Sequence, residues 1–188
     1  MSTFRPHVLG IDDAPFEKGQ SHPVPIVGVM MEGADLVESV AVGEFSVDGD
    51  GATEFLVDWV TGLRSYASLQ GIVLGGITIA GLGVVDIEEL ARRAERPIFV
   101  VTRRRPTNAL LVEALRTAGF ENRITIVERS PRASRISDGL YVAHAGTDMA
   151  SAARMVRATV GKAQLPEPLR IAHLMGRAIV IGESRGRV

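Results

Sequence analysis

Near its amino terminus the chain reads Val8-Leu9-Gly10-Ile11-Asp12-Asp13-Ala14-Pro15-Phe16. The apolar run predicts a buried strand, and Pro15 ends it because a proline cannot donate to a sheet ladder. Asp12 and Asp13 then lie at the end of that strand, where two carboxylates favour a binding or catalytic site. The alternative is a structural role, since acidic residues that follow a strand also form turns and cap helices.

Composition limits the classes of protein that this chain can form. It has 188 residues, 46% of them hydrophobic, which predicts one domain over residues 1–188. It has no cysteine, so disulfides, thiolate metal sites and cysteine nucleophiles are excluded. Any metal would be held by carboxylates and histidines, a donor set that favours Mg²⁺ or Mn²⁺.

The charge pattern and the hydropathy indicate a kind of partner and a location. The formal net charge is -1, but arginines dominate from Arg92 onward, so the fold can present a basic face to a polyanion such as DNA or RNA. No apolar run is long enough to span a membrane, and residues 1–6 lack the apolar core of a signal peptide. We therefore predict a cytoplasmic protein with no membrane partner.

The first quarter of the chain predicts an antiparallel meander of three strands. Residues 17–25 contain glycine and two prolines and predict a surface loop after the first strand. Residues 26–31 predict the second strand. Residues 36–47 alternate loosely between apolar and polar side chains, which predicts a third strand with one covered face.

A second acidic pair follows the third strand, in Val47-Asp48-Gly49-Asp50-Gly51-Ala52-Thr53. Apolar residues from Phe55 to Ala67 then recur at three- and four-residue spacing and predict a helix that packs on the sheet. Asp50 is therefore either the cap of this helix or a site residue. Asp48 has less need of a local role and is the better candidate for a site.

From residue 71 the pattern predicts alternating strands and helices. Residues 71–83 predict a central strand that runs into a glycine-rich loop, without the spacing of a P-loop or a dinucleotide fingerprint. Parallel strands joined by crossover helices, added to the meander, predict an α/β fold with a mixed sheet and helices on both faces. The remaining predictions are helices over residues 86–95, 107–119 and 147–160, strands over residues 97–101, 124–127 and 140–143, a loop over residues 129–135, and an Arg103-Arg104-Arg105 loop that a phosphate backbone could contact.

Residues 167–181 predict a helix with a narrow basic stripe. At 100° per residue, Arg170, His173 and Arg177 lie within about 60° of one another, and most of the remaining circumference is apolar. Such a helix is largely buried, so the stripe needs a partner inside the protein. Two partners are open: the carboxylates that end the first strand, or the phosphate of an anionic ligand.

Four blocks of sequence, in chain order, form a distinctive combination. They are Leu9-Gly10-Ile11-Asp12-Asp13-Ala14-Pro15-Phe16, Val47-Asp48-Gly49-Asp50-Gly51-Ala52-Thr53, Gly76-Ile77-Thr78-Ile79-Ala80-Gly81 with Val84-Val85-Asp86-Ile87, and Pro166-Glu167-Pro168-Leu169-Arg170-Ile171-Ala172-His173-Leu174 with Gly182-Glu183-Ser184-Arg185-Gly186-Arg187. Together they resemble the mainly archaeal, poorly characterised family called endonuclease dU, which is similar to endonuclease V. The resemblance covers nearly the whole chain.

The resemblance implies a ribonuclease H-like fold, with Asp12 as a metal-binding aspartate and an acid around Asp48 or Asp50 as a second ligand. One departure matters. Many family members carry an aspartate before the glycine at the end of the central strand, whereas this chain has Gly75, and it has Leu82-Gly83 where a Phe-Asn pair is often found. Loss of a central carboxylate weakens at least one metal position.

We therefore predict a Mg²⁺- or Mn²⁺-dependent endonuclease that acts on DNA or RNA, with deaminated or damaged bases, as in DNA repair, as its expected targets. Gly75 leaves open a catalytically degenerate nucleic-acid-binding protein of the same fold. A third interpretation is an oligomeric structural or regulatory subunit, and a homodimer is open in every case. The predicted catalytic residues are Asp12, Asp48 and His173, the predicted metal ligands are Asp12, Asp13, Asp48 and Asp50, and the predicted substrate-binding residues are Arg170, Arg177, Glu183, Ser184 and Arg185.

Overall fold

A computed structural model describes residues 4–185 of the protein, and within that range no helix is long and apolar enough to cross a bilayer. The strands are β1 (His7–Asp13), β2 (Val24–Glu32), β3 (Leu36–Phe45), β4 (Gly71–Leu74), β5 (Thr78–Ile79), β6 (Gly83–Val84), β7 (Ile98–Thr102), β8 (Ser134–Ser137) and β9 (Leu140–Ala145). The helices are α1 (Ala52–Thr61), α2 (Ile87–Arg93), α3 (Ala109–Thr117), α4 (Ile124–Arg129), α5 (Met149–Thr159) and α6 (Glu167–Ile181). Short 3₁₀ segments cover Tyr66–Ser68 and Glu121–Arg123. Two predicted segments extend beyond the described residues. Residues 1–3 of the segment predicted to lack a signal-peptide core, and Gly186 and Arg187 of the last sequence block, lie outside them.

Seven of these strands form one mixed sheet in the order β3-β2-β1-β4-β7-β9-β8. Neighbouring strands are antiparallel in the β1-β2-β3 part of the sheet and parallel in the β1-β4-β7 part. β9 is antiparallel to both of its neighbours, β7 and β8. β5 and β6 form a separate antiparallel pair. The predicted α/β fold, a three-stranded meander followed by parallel strands, is confirmed.

β1 lies inside the sheet, and its side chains alternate between two cores because successive residues of a strand point to opposite faces. Leu9 and Ile11 belong to the core that α1 and α2 cover. Val8 belongs to the core that α5 and the start of α6 cover. Helices therefore lie on both faces of the sheet, as predicted.

α6 lies directly on β1, and two glycines make this close contact possible. A Cβ at Gly10 would lie 2.2 Å from the carbonyl carbon of Pro168, and a Cβ at Gly176 would lie 3.1 Å from the Cα of Ala14. The two backbones can touch because neither glycine has a side chain. α6 thus follows β1 in the same direction, and its middle turns reach the acidic end of the strand.

α6 has the predicted bounds, but it is less buried than predicted. Its buried residues end at Gly176, and Ile179, Val180 and Ile181 in the last turn are about half exposed. Since Gly176 already lies beside Ala14, the residue after β1, the last turn has passed the end of that strand. The expectation of a buried helix therefore holds only for the first ten residues.

The predicted strand over residues 124–127 is wrong, because Ile124–Arg129 is helix α4. Val127 of this helix packs with Leu115 of α3 and with Val84 in a small separate core. β-branched residues favour strands only weakly, and tertiary packing of this helical pair overrides that preference. The predicted loop over residues 129–135 contains the start of the edge strand β8.

Helix starts differ from the predictions by one or two residues. Asp50 does not cap α1, because Gly51 is its N-cap and no side chain bonds to the first turn. α5 begins after Asp148 instead of Thr147, and the carboxylate of Asp148 accepts a hydrogen bond from the Ser151 amide at 2.9 Å. α3 begins at Ala109 instead of residue 107.

Candidate functional site

The acidic end of β1 lies beside the carboxyl ends of the neighbouring parallel strands. Ile11 is in register with Leu74 of β4, and Leu74 is in register with Val100 of β7. Asp12, the last residue but one of β1, therefore lies at the same edge of the sheet where Gly75 follows β4. Open α/β sheets bind ligands at this edge, outside the carboxyl ends of their parallel strands.

Asp12 separates two cavities at this edge. The first, of about 340 Å³, is also lined by Asp13 and Gly75, and we call it the acidic cavity. The second, of about 260 Å³, is lined by Asp12, Gly75, Arg103 and His173, and we call it the basic cavity. Because Asp12 and Gly75 line both, a ligand in either cavity lies beside Asp12.

His173 pairs with Asp12 across the junction of α6 and β1. Its Nδ1 lies 2.7 Å from Oδ2 of Asp12, and both side chains are partly exposed. The close packing of α6 on β1 fixes this distance, because it sets the helix residue that faces the strand end. Of the two partners predicted for the basic stripe, the carboxylate is therefore the one that His173 contacts.

The two carboxylates at the end of β1 are held in an unfavourable environment for negative charge. Burial, together with the neighbouring charge of Asp13, raises the pKa of Asp12 to about 6, although the bond to His173 opposes this rise. Burial also raises the pKa of Asp13, against the lowering effect of the Ala80 amide, which donates to Oδ2 of Asp13 at 2.6 Å. A cation beside the pair would relieve both effects.

Asp48 lies near the acidic cavity, and its carboxylate is hydrogen-bonded to a backbone amide. Its Oδ1 accepts a hydrogen bond from the Leu82 amide at 2.7 Å. A Cβ at Gly81 would lie 2.4 Å from the same oxygen, so a larger residue does not fit there. Asp48 also lines a cavity of about 680 Å³ that we call the large cavity. Phe16 and Gly81 line both the large and the acidic cavities, which therefore adjoin.

Asp50 is directed elsewhere, toward a buried arginine. Nη2 of Arg123, whose side chain is 6% exposed, donates to Oδ1 of Asp50 at 2.5 Å. The same guanidinium donates to the carbonyls of Leu82 at 2.7 Å and Asp48 at 2.9 Å. Asp50 and Arg123 line a different cavity, of about 340 Å³, which Asp12 does not line.

The structure therefore divides the four predicted metal ligands. Asp12 and Asp13 line one cavity, Asp48 lines the adjoining one, and Asp50 lies with Arg123. Within residues 4–185, no group of three or more histidine, aspartate or glutamate side chains is placed to hold a metal ion. The role of each acid as a metal ligand stays a prediction.

Gly75 occupies the position at which the resemblance led us to expect an aspartate. It lies between the acidic and basic cavities, next to Asp12. A Cβ at this position would meet no atom nearer than the Leu169 side chain, at 3.9 Å. The position thus accepts a Cβ without a close contact, although the sequence supplies no third carboxylate there.

The predicted substrate-binding residues occupy three different environments. Arg170 donates from Nε and Nη2 to Glu167, at 2.8 and 2.6 Å, so its guanidinium is already paired. Arg177 is half-buried one turn after His173, and within the described residues it forms no salt bridge. Glu183, Ser184 and Arg185 follow α6 and are exposed. Their contact with a substrate stays a prediction.

Arg103 is a site residue that the predicted set omits. It follows β7 and lines the basic cavity with Asp12 and His173. The sequence predicts for the triple arginine a loop that a phosphate backbone could contact, without placing that loop at the acidic site. The available signal was topological, because β7 is parallel to β4 and its carboxyl end must lie at the same edge of the sheet.

The fold of the chain is similar to that of endonuclease V. The crystal structure of Ciona intestinalis endonuclease V, in complex with a 24mer DNA that contains an inosine followed by a ribo-adenosine, has a TM-score of 0.58 and 11% identity, over 89% of this chain and 82% of that chain. The family model described as endonuclease dU matches residues 5–180, and the chain belongs to that family. This confirms the family that the four sequence blocks predicted and indicates a nuclease-related function.

Two other comparisons agree with this assignment. A UPF0215 protein of the archaeon Methanothermobacter thermautotrophicus is 38% identical over 183 residues, which cover 95% of this chain and 90% of the relative. The crystal structure of a protein of unknown function from Archaeoglobus fulgidus has a TM-score of 0.85 and 34% identity, over 94% of this chain and 99% of that chain. These similarities cover 94% and 95% of the chain.

Proposed function

We propose that the protein is a metal-dependent endonuclease that binds a DNA or RNA strand along the basic, acidic and large cavities. The observation that carries the proposal is the position of Asp12, which lines two cavities and bonds to His173. Membership of the endonuclease dU family supports nuclease chemistry. The Ciona enzyme, which has the same fold, was solved with DNA bound, and this supports a nucleic acid as the ligand.

Asp12 and Asp13 are the residues that would hold the metal. Each uses one carboxylate oxygen in a hydrogen bond to another residue, His173 or the Ala80 amide. Mg²⁺ binds proteins through one or two carboxylates and keeps several of its waters, so this pair fits it without a third acid. The raised pKa of both carboxylates supports the fit, since a cation would offset their burial.

The residues around Asp12 have complementary tasks in this proposal. A bound Mg²⁺ or Mn²⁺ would polarise the phosphodiester and acidify a coordinated water. Asp12 orients the imidazole of His173 through Nδ1, which leaves Nε2 to hold or transfer a proton. Arg103 lines the same cavity, and its planar guanidinium can bind two phosphate oxygens. Asp48 positions the glycine loop through the Leu82 amide.

The large cavity supports a deaminated or damaged base as the target. Enzymes that act at one base extrude it from the stack into a pocket. The large cavity adjoins the acidic cavity, and its apolar wall includes Phe16, Val47 and Leu82, with Lys18 and Thr117 as polar groups. A base could thus occupy the large cavity while its phosphate lies beside Asp12.

The test is cleavage of strands that contain inosine or uracil, with Mg²⁺ or Mn²⁺ present. We expect cleavage by the wild-type protein and a loss on the order of 100-fold or more in Asp12→Asn, because the metal loses a charged ligand and His173 loses its charged partner. Asp58→Asn is the matched control and is expected to keep its activity, because Asp58 is an exposed residue of α1 that lines none of the three cavities. Failure of the wild type with both metals, or full activity of Asp12→Asn, would overturn the proposal.

The second candidate function is nucleic-acid binding without cleavage. Gly75 favours it, since the central carboxylate expected from the resemblance is missing. This candidate predicts binding that weakens with salt, survives Asp12→Asn and falls in Arg103→Ala. Homodimer formation and a cytoplasmic location stay predictions.

A further inference from the structure

Helix α3 is anchored to the protein by only one of its faces. Leu115 of α3 packs with Val84 and Val127 in the small separate core, and Leu111 packs against them. Nδ2 of Asn108, the residue before α3, donates to the carbonyl of Val127 at 3.1 Å, so the start of the helix is fixed to α4. The opposite face of α3 is therefore held in place without taking part in this core.

That second face of α3 lines the large cavity. It contributes Leu110, Glu113, Ala114 and Thr117, which lie on one side of a helix because their spacing is i, i+3, i+4 and i+7. Ala114 and Thr117 are short. Leu110 and Glu113 are thus the long side chains that α3 presents to the cavity.

Leu110 is exposed to an unusual degree for a residue of its size. It is 74% exposed, the highest value among the exposed large hydrophobic residues within residues 4–185. A single exposed leucine is ordinary on a protein surface. Leu110 differs because it lines a cavity of about 680 Å³ that adjoins the acidic cavity. A ligand that fills the large cavity would cover Leu110, and burial of an apolar side chain favours binding.

The large cavity also has apolar lining on a second, separate element. Phe16 and Val47 line it and pack against the core that α1 and α2 cover. Enzymes that act on an extruded base hold its flat ring between aromatic or apolar side chains. Phe16 on the sheet side and Leu110 on α3 supply two such surfaces in one cavity.

The charges of the large cavity favour an uncharged ring over a phosphate. Asp48 and Glu113 contribute carboxylates, and Lys18 contributes an ammonium group. A lining with more negative than positive charge repels phosphate. Carboxylates only accept hydrogen bonds, so they suit the N–H groups of a base. The basic cavity, lined by Arg103 and His173, suits the phosphate better.

We propose that α3 holds the extruded base in the large cavity, with Leu110 lying over its ring. The inference rests on the proposed function, because it takes the nucleic acid of that proposal as the ligand. Leu110 binds and positions the base and takes no part in proton transfer, since its side chain is a hydrocarbon. Its loss should therefore weaken binding of the target base while Asp12 and His173 keep their geometry.

The first experiment is NMR of the protein with methyl-labelled leucines. The probe is a short strand that contains inosine or uracil, added without divalent cations so that it stays intact. The ring current of a base stacked on Leu110 should shift the Leu110 methyl signals, which the Leu110→Met variant identifies by removing them. A strand with an abasic site at the same position should leave these signals in place. Leu36, a half-exposed leucine of β3 that lines none of the three cavities, is the internal control.

The second experiment is the affinity for the same strands by fluorescence anisotropy. Leu110→Ala should weaken binding of the base-containing strand about tenfold and leave binding of the abasic strand unchanged. Leu110→Met keeps an apolar side chain of similar reach and should bind like wild type. Leu36→Ala is the matched control, because it is the same substitution at an exposed leucine away from the cavities.

The outcomes separate this inference from the proposed nuclease activity. Cleavage by the wild type with unshifted Leu110 signals, or equal affinity of Leu110→Ala and wild type, would refute the role of Leu110 and leave the nuclease proposal standing. Shifted signals in a protein that cleaves no strand would support the role of Leu110 and overturn the nuclease proposal. Signals that follow the protein concentration instead of the strand would assign Leu110 to a contact with a second copy and refute its role.

Discussion

Replacing Asp12 by asparagine is expected to stabilise the protein at neutral and alkaline pH while it removes cleavage. The folded protein raises the pKa of Asp12 from its ordinary value of 3.8 to about 6, chiefly by burial. The folded state therefore holds the proton more tightly than the unfolded state does. The Asp12 carboxyl costs little stability below about pH 4, and its cost grows as the pH rises toward 6.

The magnitude follows from the pKa itself. Each tenfold change in proton affinity is worth about 1.4 kcal/mol, so the charged carboxylate lowers the free energy of unfolding by about 3 kcal/mol above pH 7. Asparagine removes the charge, and its side-chain oxygen can still accept a hydrogen bond from Nδ1 of neutral His173. For a chain of this length, a gain of about 3 kcal/mol raises Tm by roughly 6 to 12 °C.

The assay is thermal unfolding followed by circular dichroism, without divalent cations, at about pH 4 and about pH 8. Asp12→Asn should melt higher than wild type at pH 8 and close to wild type at pH 4. Asp148→Ala is the control in which the change of Tm at pH 8 should have the opposite sign. Hydrogen bonds from Ser151 lower the pKa of Asp148, so its charged form stabilises α5 and its removal should lower the Tm. A lower Tm for Asp12→Asn at pH 8 would refute the reasoning and make Asp12 a structural partner of charged His173.

Three other predictions test the geometry of the site. Gly75→Asp should fold, because a Cβ meets nothing nearer than 3.9 Å, and should raise Mn²⁺ affinity about tenfold or more in calorimetry; unchanged affinity would contradict a metal beside Asp12. Arg123→Ala should lower the free energy of urea unfolding by about 2 to 4 kcal/mol, because two carbonyls lose their donor; a loss below about 0.5 kcal/mol would show that water replaces it. Gly10→Ala should destabilise by about 3 kcal/mol or more, since its Cβ would lie 2.2 Å from Pro168; a wild-type Tm would contradict the contact of α6 with β1.

The elements with strong periodicity were predictable from the sequence. β1 follows from four consecutive apolar residues before a carboxylate, and α6 has the predicted bounds because its charges and apolar residues repeat at helical spacing. α4 was not predictable in this way. Ile124 and Val127 favour a strand locally, whereas packing with Leu115 of α3 in a small separate core favours the helix.

The candidate site was predictable in part. The pairing of His173 with a carboxylate of β1 was one of two partners expected from the basic stripe. The separation of Asp50 from Asp12 was not visible, because a buried arginine 73 residues later in the chain directs it to another cavity. The spacing of residues predicts which of them lie in the same helix or strand. It does not predict which loop a distant arginine will contact.

Arg123 also has a consequence for ligand selection. Its guanidinium joins the carbonyls of Leu82 and Asp48, and both residues line the large cavity. This part of the wall is thus held in place by the fold itself, and such preorganisation lowers the entropy lost on binding a ligand. A molecule that enters the large cavity would therefore meet a preformed surface at Leu82 and Asp48.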